Sequence, residues 1–163
     1  MRAAIRRVAS ACAIIAGERV GTIEHGILVL LGIAPTGNAA DARRLAEKTV
    51  ALRIFPDDGK MNLSVRDATG GLLVVSQFRL FTTARKGLRP SFNAAAPPDL
   101  AIPLSEKFCE LCAAALARPV ATGRFGTDMK VSLVNDGPSS SSSTRTPANN
   151  LSRFPNSHPT DKR

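Results

Sequence analysis

The chain has 163 residues, enough for one domain with its own core, and it carries a formal net charge of +9. Its seven Phe, without any Trp or Tyr, argue against an RNA-binding sheet that stacks bases on interleaved rings. Three cysteines are too few for a disulfide framework and favour a reducing compartment. The positive charge leaves nucleic acids and anionic membranes as candidate partners.

The N-terminal part of the chain predicts closely spaced strands. Short apolar stretches predict them over 2–9, 11–16 and 19–24, and the run "GILVLLGIA" predicts a buried strand over 27–33. That run is too short to span a bilayer. The start "MRAAIRRVASACAIIAG" also has the composition of a mitochondrial transit peptide, although Arg6 and Arg7 break its apolar run and argue against a secretory signal.

Two helices are predicted after these strands. Apolar residues at helical spacing predict one from Ala39 to Leu52, with Asn38 as its N-cap, and another from Leu100 to Ala117, with Asp99 as its cap. The other predicted elements are a turn at 56–60, a central strand at 70–78, a loop at 82–98, a strand with a turn at 118–126 and a strand at 128–138. Together they indicate one α+β domain over residues 1–138, with mostly antiparallel strands.

The composition changes abruptly after Pro138. Residues 139–163, "SSSSSTRTPANNLSRFPNSHPTDKR", are rich in Ser, Thr, Pro and Asn and have almost no large apolar residues. Such a segment cannot bury enough apolar surface to offset its ordering entropy, so we predict that it is disordered. It has four basic residues and one acidic residue, so most of the positive charge belongs to the folded part.

The central strand predicted at 70–78 ends in polar residues, in the stretch "VVSQFRLF". A nucleophilic Ser76 would need an activating base, and His25, the one histidine outside the tail, lies in an "HG" turn that does not mark it as a base. On residue type alone, a purely structural Ser76 is favoured. The alternative is that Ser76 binds a ligand through its hydroxyl or through nearby N–H groups, rather than acting as a nucleophile.

Cys109 and Cys112 form a C-x-x-C pair within a helical pattern. Structural zinc needs four ligands, and the chain has no second C-x-x-C and only two histidines. We therefore interpret both cysteines as small apolar side chains of a helix rather than as a metal or redox centre.

Three later segments are candidates for binding. "ARKGLRPSF" places Arg85, Lys86 and Arg89 around a glycine, which suits either a phosphate-binding loop or a plain solvated loop. "TGRFG" flanks Phe125 with glycines, so its ring either stacks on a base or folds onto the core. "NDGPS" predicts a tight turn whose carbonyls face a ligand without an intervening side chain.

Several stretches of the chain occur together in one known family. In chain order they are "MRAAIRRV", "LVLLGI", "LAEKTVALRIF", "DDGKMNLS", "LLVVSQF", "ARKGLRPSF", "AAPP" and "TGRFGTDMKVSLVNDGP". In order and spacing the chain resembles the D-aminoacyl-tRNA deacylases, formerly D-tyrosyl-tRNA deacylases, nearly continuously over residues 1–138. Met1 aligns with the family's own start, which disfavours the transit peptide.

The resemblance implies a D-tyrosyl-tRNA deacylase-like fold with a barrel-like core, and a proofreading enzyme. Such an enzyme hydrolyses the ester between a D-amino acid, or mischarged glycine, and the terminal adenosine of tRNA. It uses backbone groups and the tRNA 2′-OH, and needs neither metal nor cofactor. The resemblance further implies a cytoplasmic homodimer, not bound to a membrane, with active sites at the subunit interface.

The resemblance also implies roles for individual residues. Ser76, Gln77, Phe78 and Arg79 line the catalytic pocket, and Arg79 stands where the family usually has Thr. Gly137-Pro138 adopts a cis bond and reaches into the partner's pocket, where its rigid backbone excludes an L side chain. The other implied contacts are Arg7, which braces that pair; Phe125 and Met129, near the terminal adenosine; Ala95 of "AAPP", at the substrate; and Arg85, Lys86 and Arg89, at tRNA phosphates.

Two departures from the family pattern leave alternatives open. Arg79 could block the pocket, contact phosphate or point away from it. Ser139 and Ser140 stand where the family continues into an apolar strand, and loss of that strand would expose a sheet edge or weaken the dimer. One alternative function is therefore a catalytically impaired member that binds the end of tRNA. An unrelated Ser hydrolase is another, for which the chain offers no base.

Overall fold

The structure, a computed structural model, describes residues 1–81 and 95–144, with 138–144 as backbone only. Its strands are β1 (Arg2–Ile15), β2 (Glu18–Ile23), β3 (Gly26–Gly32), β4 (Phe55–Asp57), β5 (Lys60–Leu63), β6 (Gly71–Ser76), β7 (Ala121–Thr122) and β8 (Lys130–Thr144). Its helices are α1 (Ala39–Ala51) and α2 (Pro98–Leu116), with a 3₁₀ turn at Phe78–Phe81. The predicted α+β fold is confirmed. Within the described residues no helix has the length and hydropathy to cross a membrane.

The main sheet is organised around β1, which pairs with three other strands. Its first half pairs antiparallel with β3 and its second half with β2, while β8 pairs antiparallel along nearly its whole length. β6 and β7 extend the sheet from β3 in parallel. β2 returns against β6 and β7, where a Cβ on Gly21 would lie 2.7 Å from the carbonyl oxygen of Thr122. The sheet therefore curls into a nearly closed barrel.

β1 is one strand, whereas two strands are predicted over 2–9 and 11–16. Its register against β8 shifts between Arg6 and Val8 and again between Val8 and Ser10. A β-bulge of this kind lets a strand continue while its side chains change faces. Ile5, before the bulge, belongs to the apolar cluster under the helices, and Ala11, after it, belongs to the cluster on the other face.

α1 and α2 cover one face of the sheet and bury the larger apolar cluster, which has Phe55 and Phe108 among its fully buried side chains. Asn38 is the N-cap of α1 as predicted, since its side chain accepts a hydrogen bond from the N–H of Asp41 at 2.9 Å. The predicted cap of the second helix is wrong, because α2 begins at Pro98 and Asp99 lies in its first turn. Proline suits that position because the N–H it lacks would have no helical acceptor.

β8 extends beyond the domain boundary predicted at Pro138. Its residues 140–144 pair with β1, from Ser140 opposite Arg6 to Thr144 opposite Arg2. The start of the serine run therefore departs from the predicted disorder, and the expected loss of the last strand is wrong. Backbone hydrogen bonds to the edge of β1 do not require apolar side chains, which explains why composition alone misplaces the boundary. Residues 145–163 lie outside the described part of the chain.

We expect Gly26→Ala to destabilise the sheet strongly. Gly26 pairs with Gly71, and a Cβ at position 26 would lie 2.6 Å from the Gly71 nitrogen and 2.7 Å from its carbonyl carbon. Because backbone atoms must move, the free energy of unfolding should fall by about 3 kcal/mol in urea titrations. Gly59→Ala is the control, since its Cβ meets nothing within 4 Å. It should cost about 1 kcal/mol through its positive φ alone. Equal losses would contradict the close approach of β3 and β6.

Candidate active site

A cleft of about 630 Å³ opens on the sheet face that the helices leave uncovered. Two segments far apart in sequence form its walls. One is the end of β6 with the start of the 3₁₀ turn, and the other is the loop 125–129 before β8. The structure thus brings together six of the residues predicted from the sequence: Ser76, Gln77, Phe78, Arg79, Phe125 and Met129.

The first wall forms because β6 ends there. Ser76 is the last residue of β6 and lies opposite Leu31, and the N–H of Gln77 donates to the carbonyl of Leu31 at 2.7 Å. The chain then turns into the 3₁₀ segment, so the polar residues fall at a strand end and not within a buried strand. Phe78 is 50% exposed, and the exposed Arg79 guanidinium lies 5.9 Å from the centroid of its ring. Arg79 therefore lines the cleft without filling it.

The 3₁₀ turn is held from beneath by β1. Arg2 donates to the carbonyl of Leu80 at 2.9 Å, and its guanidinium lies 4.7 Å from the centroid of the Phe81 ring. A Cβ on Gly32 would lie 2.9 Å from the Phe81 ring, so a glycine is needed where β3 passes the turn. These contacts fix the backbone that follows Gln77.

The second wall is a compact loop built around Met129. Its sulfur lies 3.3 Å from the backbone nitrogen of Arg124, and a Cβ on Gly123 would lie 2.6 Å from the same sulfur. The hydroxyl of Thr127 donates to the carbonyl of Arg124 at 2.8 Å. Phe125 is half-buried against the apolar cluster under the helices while it also lines the cleft. Both interpretations of its ring, core packing and contact with a ligand, agree with this position.

Arg7 occupies a separate, buried position behind a bulge of β8. It is 4% exposed, and its Nε donates to the backbone carbonyl of Asp136 at 3.1 Å and forms an ion pair with the Asp136 carboxylate, whose oxygen lies 3.0 Å away. Its Nη1 donates to the carbonyl of Ile54 and lies 3.3 Å from the sulfur of Met61. The guanidinium therefore connects the bulge to the segment that begins the β4–β5 hairpin.

The bulge places Gly137 directly over this guanidinium. Residues 136–139 stand opposite Arg7 alone, since Asn135 pairs with Val8 and Ser140 with Arg6. Gly137 has φ +70° and is exposed, and a Cβ there would collide with Arg7 Nη2. The predicted contact between Arg7 and this motif is thus present. No cis peptide bond occurs among the described residues, which departs from the cis geometry expected at Gly137-Pro138; the bulge instead contains the positive φ of Gly137.

Other predicted residues lie away from the cleft. Ala95 is half-buried but not among the cleft-lining residues, and the next N–H, of Ala96, donates to the carbonyl of Ile33 at 2.9 Å. Arg85, Lys86 and Arg89 fall outside the described residues. His25 stacks edge-on against Phe55, with ring centroids 5.0 Å apart, and is not among the cleft-lining residues.

The cysteines of the C-x-x-C pair agree with the apolar interpretation. Burial raises the pKa of Cys109 to about 11 and that of Cys112 to about 12, so both thiols stay protonated at neutral pH. Both face the helix-covered core. Within residues 1–81 and 95–144, no three metal-ligating side chains cluster together.

The sequence prediction missed two charged residues of the cleft, Arg6 and Asp128. Arg6 adjoins the buried Arg7 on β1, so the two arginines point to opposite faces, as period-two alternation requires. That alternation was a usable signal for Arg6. Asp128 sits in a loop, where no periodicity indicates which way a side chain points.

A family model and curated relatives agree on one family. A family model described as D-Tyr-tRNA(Tyr) deacylase matches residues 4–142. D-aminoacyl-tRNA deacylases from Opitutus terrae and Thermosipho africanus are 55% and 52% identical over 85% of this chain and 93% of their own length. A solved structure named c-Myc DNA Unwinding Element Binding Protein has a TM-score of 0.82 at 34% identity, over 91% of this chain and 100% of its own. Another, of a probable eukaryotic D-amino acid tRNA deacylase, has a TM-score of 0.75 at 16% identity, over 86% of this chain and 97% of its own, and supports the fold.

Proposed function

Because the chain belongs to the D-Tyr-tRNA(Tyr) deacylase family, we propose that it hydrolyses D-aminoacyl-tRNA in the cleft between Ser76–Arg79 and Phe125–Met129. Water adds across the ester, which releases a free D-amino acid and restores the 3′-terminal hydroxyl of tRNA. The observation that carries this proposal is the convergence of the two walls in one cleft. Its volume lies within the range of sites that enclose small ligands.

The chemistry relies on backbone groups and on the substrate itself. No histidine is among the described residues that line the cleft, so the lining gives no support to a Ser76 nucleophile activated by a histidine base. The N–H of Arg79 stands at the start of the 3₁₀ turn, where a helix leaves amides pointing outward. Such amides stabilise the oxyanion that forms when water attacks the ester carbonyl. The 2′-OH of the terminal adenosine assists proton transfer. This scheme needs no side-chain nucleophile, so Arg79 is compatible with it.

Stereochemical selection follows from the bulge at Gly137. In a homodimer, the backbone of Gly137, which is exposed, and of Pro138 enters the partner's cleft and occupies the volume that an L side chain would need. The contacts of the buried Arg7 with Asp136 hold that backbone in place. A wall that rejects L side chains does not read the D side chain, so the enzyme accepts many D-amino acids. It also admits glycine, which has no side chain to reject. We propose that the protein acts in the cytoplasm, on tRNA that has been charged there.

The test is single-turnover deacylation of D-tyrosyl-tRNA and L-tyrosyl-tRNA by the purified chain. We expect release of the D-amino acid while the L ester stays intact. Release of both would remove the proposed role of Gly137-Pro138. No release, together with salt-dependent binding of tRNA, would instead indicate the impaired, tRNA-end-binding member of the family.

A further inference from the structure

The cleft carries more positive charge than the hydrolysis of an ester requires. Arg6 on β1 and Arg79 at the 3₁₀ turn are both exposed and both line the cleft. The ion pairs Arg7–Asp136 and Lys107–Glu110 lie elsewhere and involve neither of them. Asp128 is the one acidic residue that lines the cleft among these residues, and it pairs with neither arginine. Two guanidinium groups without a carboxylate partner, facing one cleft, indicate an anionic ligand.

The sheet register separates the two arginines. Arg6 lies opposite Leu28, whereas Ser76, three residues before Arg79, lies opposite Leu31. Three residues along the strands and two strand spacings across place the backbones of Arg6 and Ser76 about 14 Å apart. Arg6 is thus far from the strand end that leads into Arg79, which suits separate anionic groups along an extended ligand.

We propose that Arg6 and Arg79 bind phosphodiester groups of the single-stranded acceptor end of the tRNA. This assignment rests on the proposed function, which brings that end into the cleft. Each nucleotide supplies an anion, whereas the aminoacyl group presents a cationic α-ammonium that a guanidinium would repel. The exposed Phe78 ring beside Arg79 offers a surface on which a base can stack. Arg79 is then a binding residue for the RNA. Because it adjoins Ser76–Phe78, its contact with the RNA also fixes where the reacting ester lies in the cleft.

The first experiment measures equilibrium binding of deacylated tRNA by fluorescence anisotropy between about 50 and 200 mM salt. We expect Arg6→Gln and Arg79→Gln each to weaken binding by about threefold to tenfold and to lower the slope of log K against log salt by roughly 0.7. Asp128→Asn, which removes the opposing charge, should strengthen binding. Arg44→Gln is the matched control, because Arg44 is an exposed arginine of α1, on the helix-covered side.

A shortened tRNA separates the acceptor end from the rest of the molecule. Without its single-stranded 3′ end, the tRNA should bind the wild-type protein and the two glutamine variants equally. Persistent differences would place the arginines against another part of the tRNA and overturn the assignment, as would an unchanged salt dependence in both variants. These measurements involve no hydrolysis, so they stand even where the deacylation test fails.

The second experiment compares D-aspartyl-tRNA with D-tyrosyl-tRNA in steady-state deacylation. A phosphate contact predicts that Arg79→Gln raises KM to the same extent for both substrates and changes kcat little. A loss confined to the D-aspartyl substrate would assign Arg79 to an acidic side chain of the amino acid, and would overturn the proposal.

Discussion

Replacing Arg7 with alanine should lower the free energy of unfolding by about 3 kcal/mol. The ion pair with Asp136 contributes little of this, because that carboxylate is 38% exposed and solvent screens it. Most of the loss comes from the Ile54 carbonyl, which loses its buried donor, and from the void left by a side chain that is 5% exposed. Arg7→Lys keeps the charge but not the planar fork that reaches both Asp136 and Ile54, so its loss should be intermediate.

Arg6→Ala provides the comparison, because Arg6 is the adjacent arginine of the same strand but is exposed. Urea titration should show a change within about 0.5 kcal/mol for this surface substitution.

In deacylation assays, Arg7→Ala should also release L-tyrosine from L-tyrosyl-tRNA, since Gly137 loses the support beneath it. An Arg7→Ala protein as stable as the wild type, with L esters still intact, would show that the guanidinium does not brace this bulge.

The walls of the cleft were predictable because their residues follow local rules. Ser76, Gln77 and Phe78 come where an apolar strand meets polar residues, and such a strand end marks a sheet edge. Phe125 stands between Gly123 and Gly126, and closely spaced glycines are typical of a turn. The resemblance to a family then joined these separate stretches into one site, which periodicity alone cannot do.

Two of the features that were missed, the bulge of β8 and the end of that strand, depend on pairing between distant parts of the chain. The bulge opposite Arg7 exists only because β8 carries extra residues against β1, and nothing local to "RRV" indicates a buried arginine. The prediction of the cap of α2 was wrong for a local reason. Pro98 occupies the first position of the helix, so Asp99 lies within the first turn and not before it. The prediction of where β8 ends was wrong because the last part of this strand is determined by the free edge of β1 and not by its own composition.

The start of the serine run should be needed for the stability of the sheet. A chain ending at Pro138 should lose about 3 kcal/mol of stability, because residues 140–144 no longer hydrogen-bond to Arg2–Arg6 of β1. The uncovered edge of β1 would then be open to pairing with other chains, so this protein should also aggregate. A chain ending at Thr144 keeps the whole pairing and should unfold in urea like the full-length protein.

The two truncations differ by six residues of nearly uniform serine, so their comparison isolates the pairing from the effect of shortening the chain. Chemical denaturation gives the stability, and light scattering at rising concentration gives the association. If the residues after Pro138 were a disordered extension, both truncated chains would behave like the full-length protein. Should they instead complete the sheet, only the shorter chain loses stability, and it also loses the strand that holds Gly137 over Arg7. Deacylation of L-tyrosyl-tRNA by the shorter chain would then connect the serine run, which carries no chemistry of its own, to stereochemical selection.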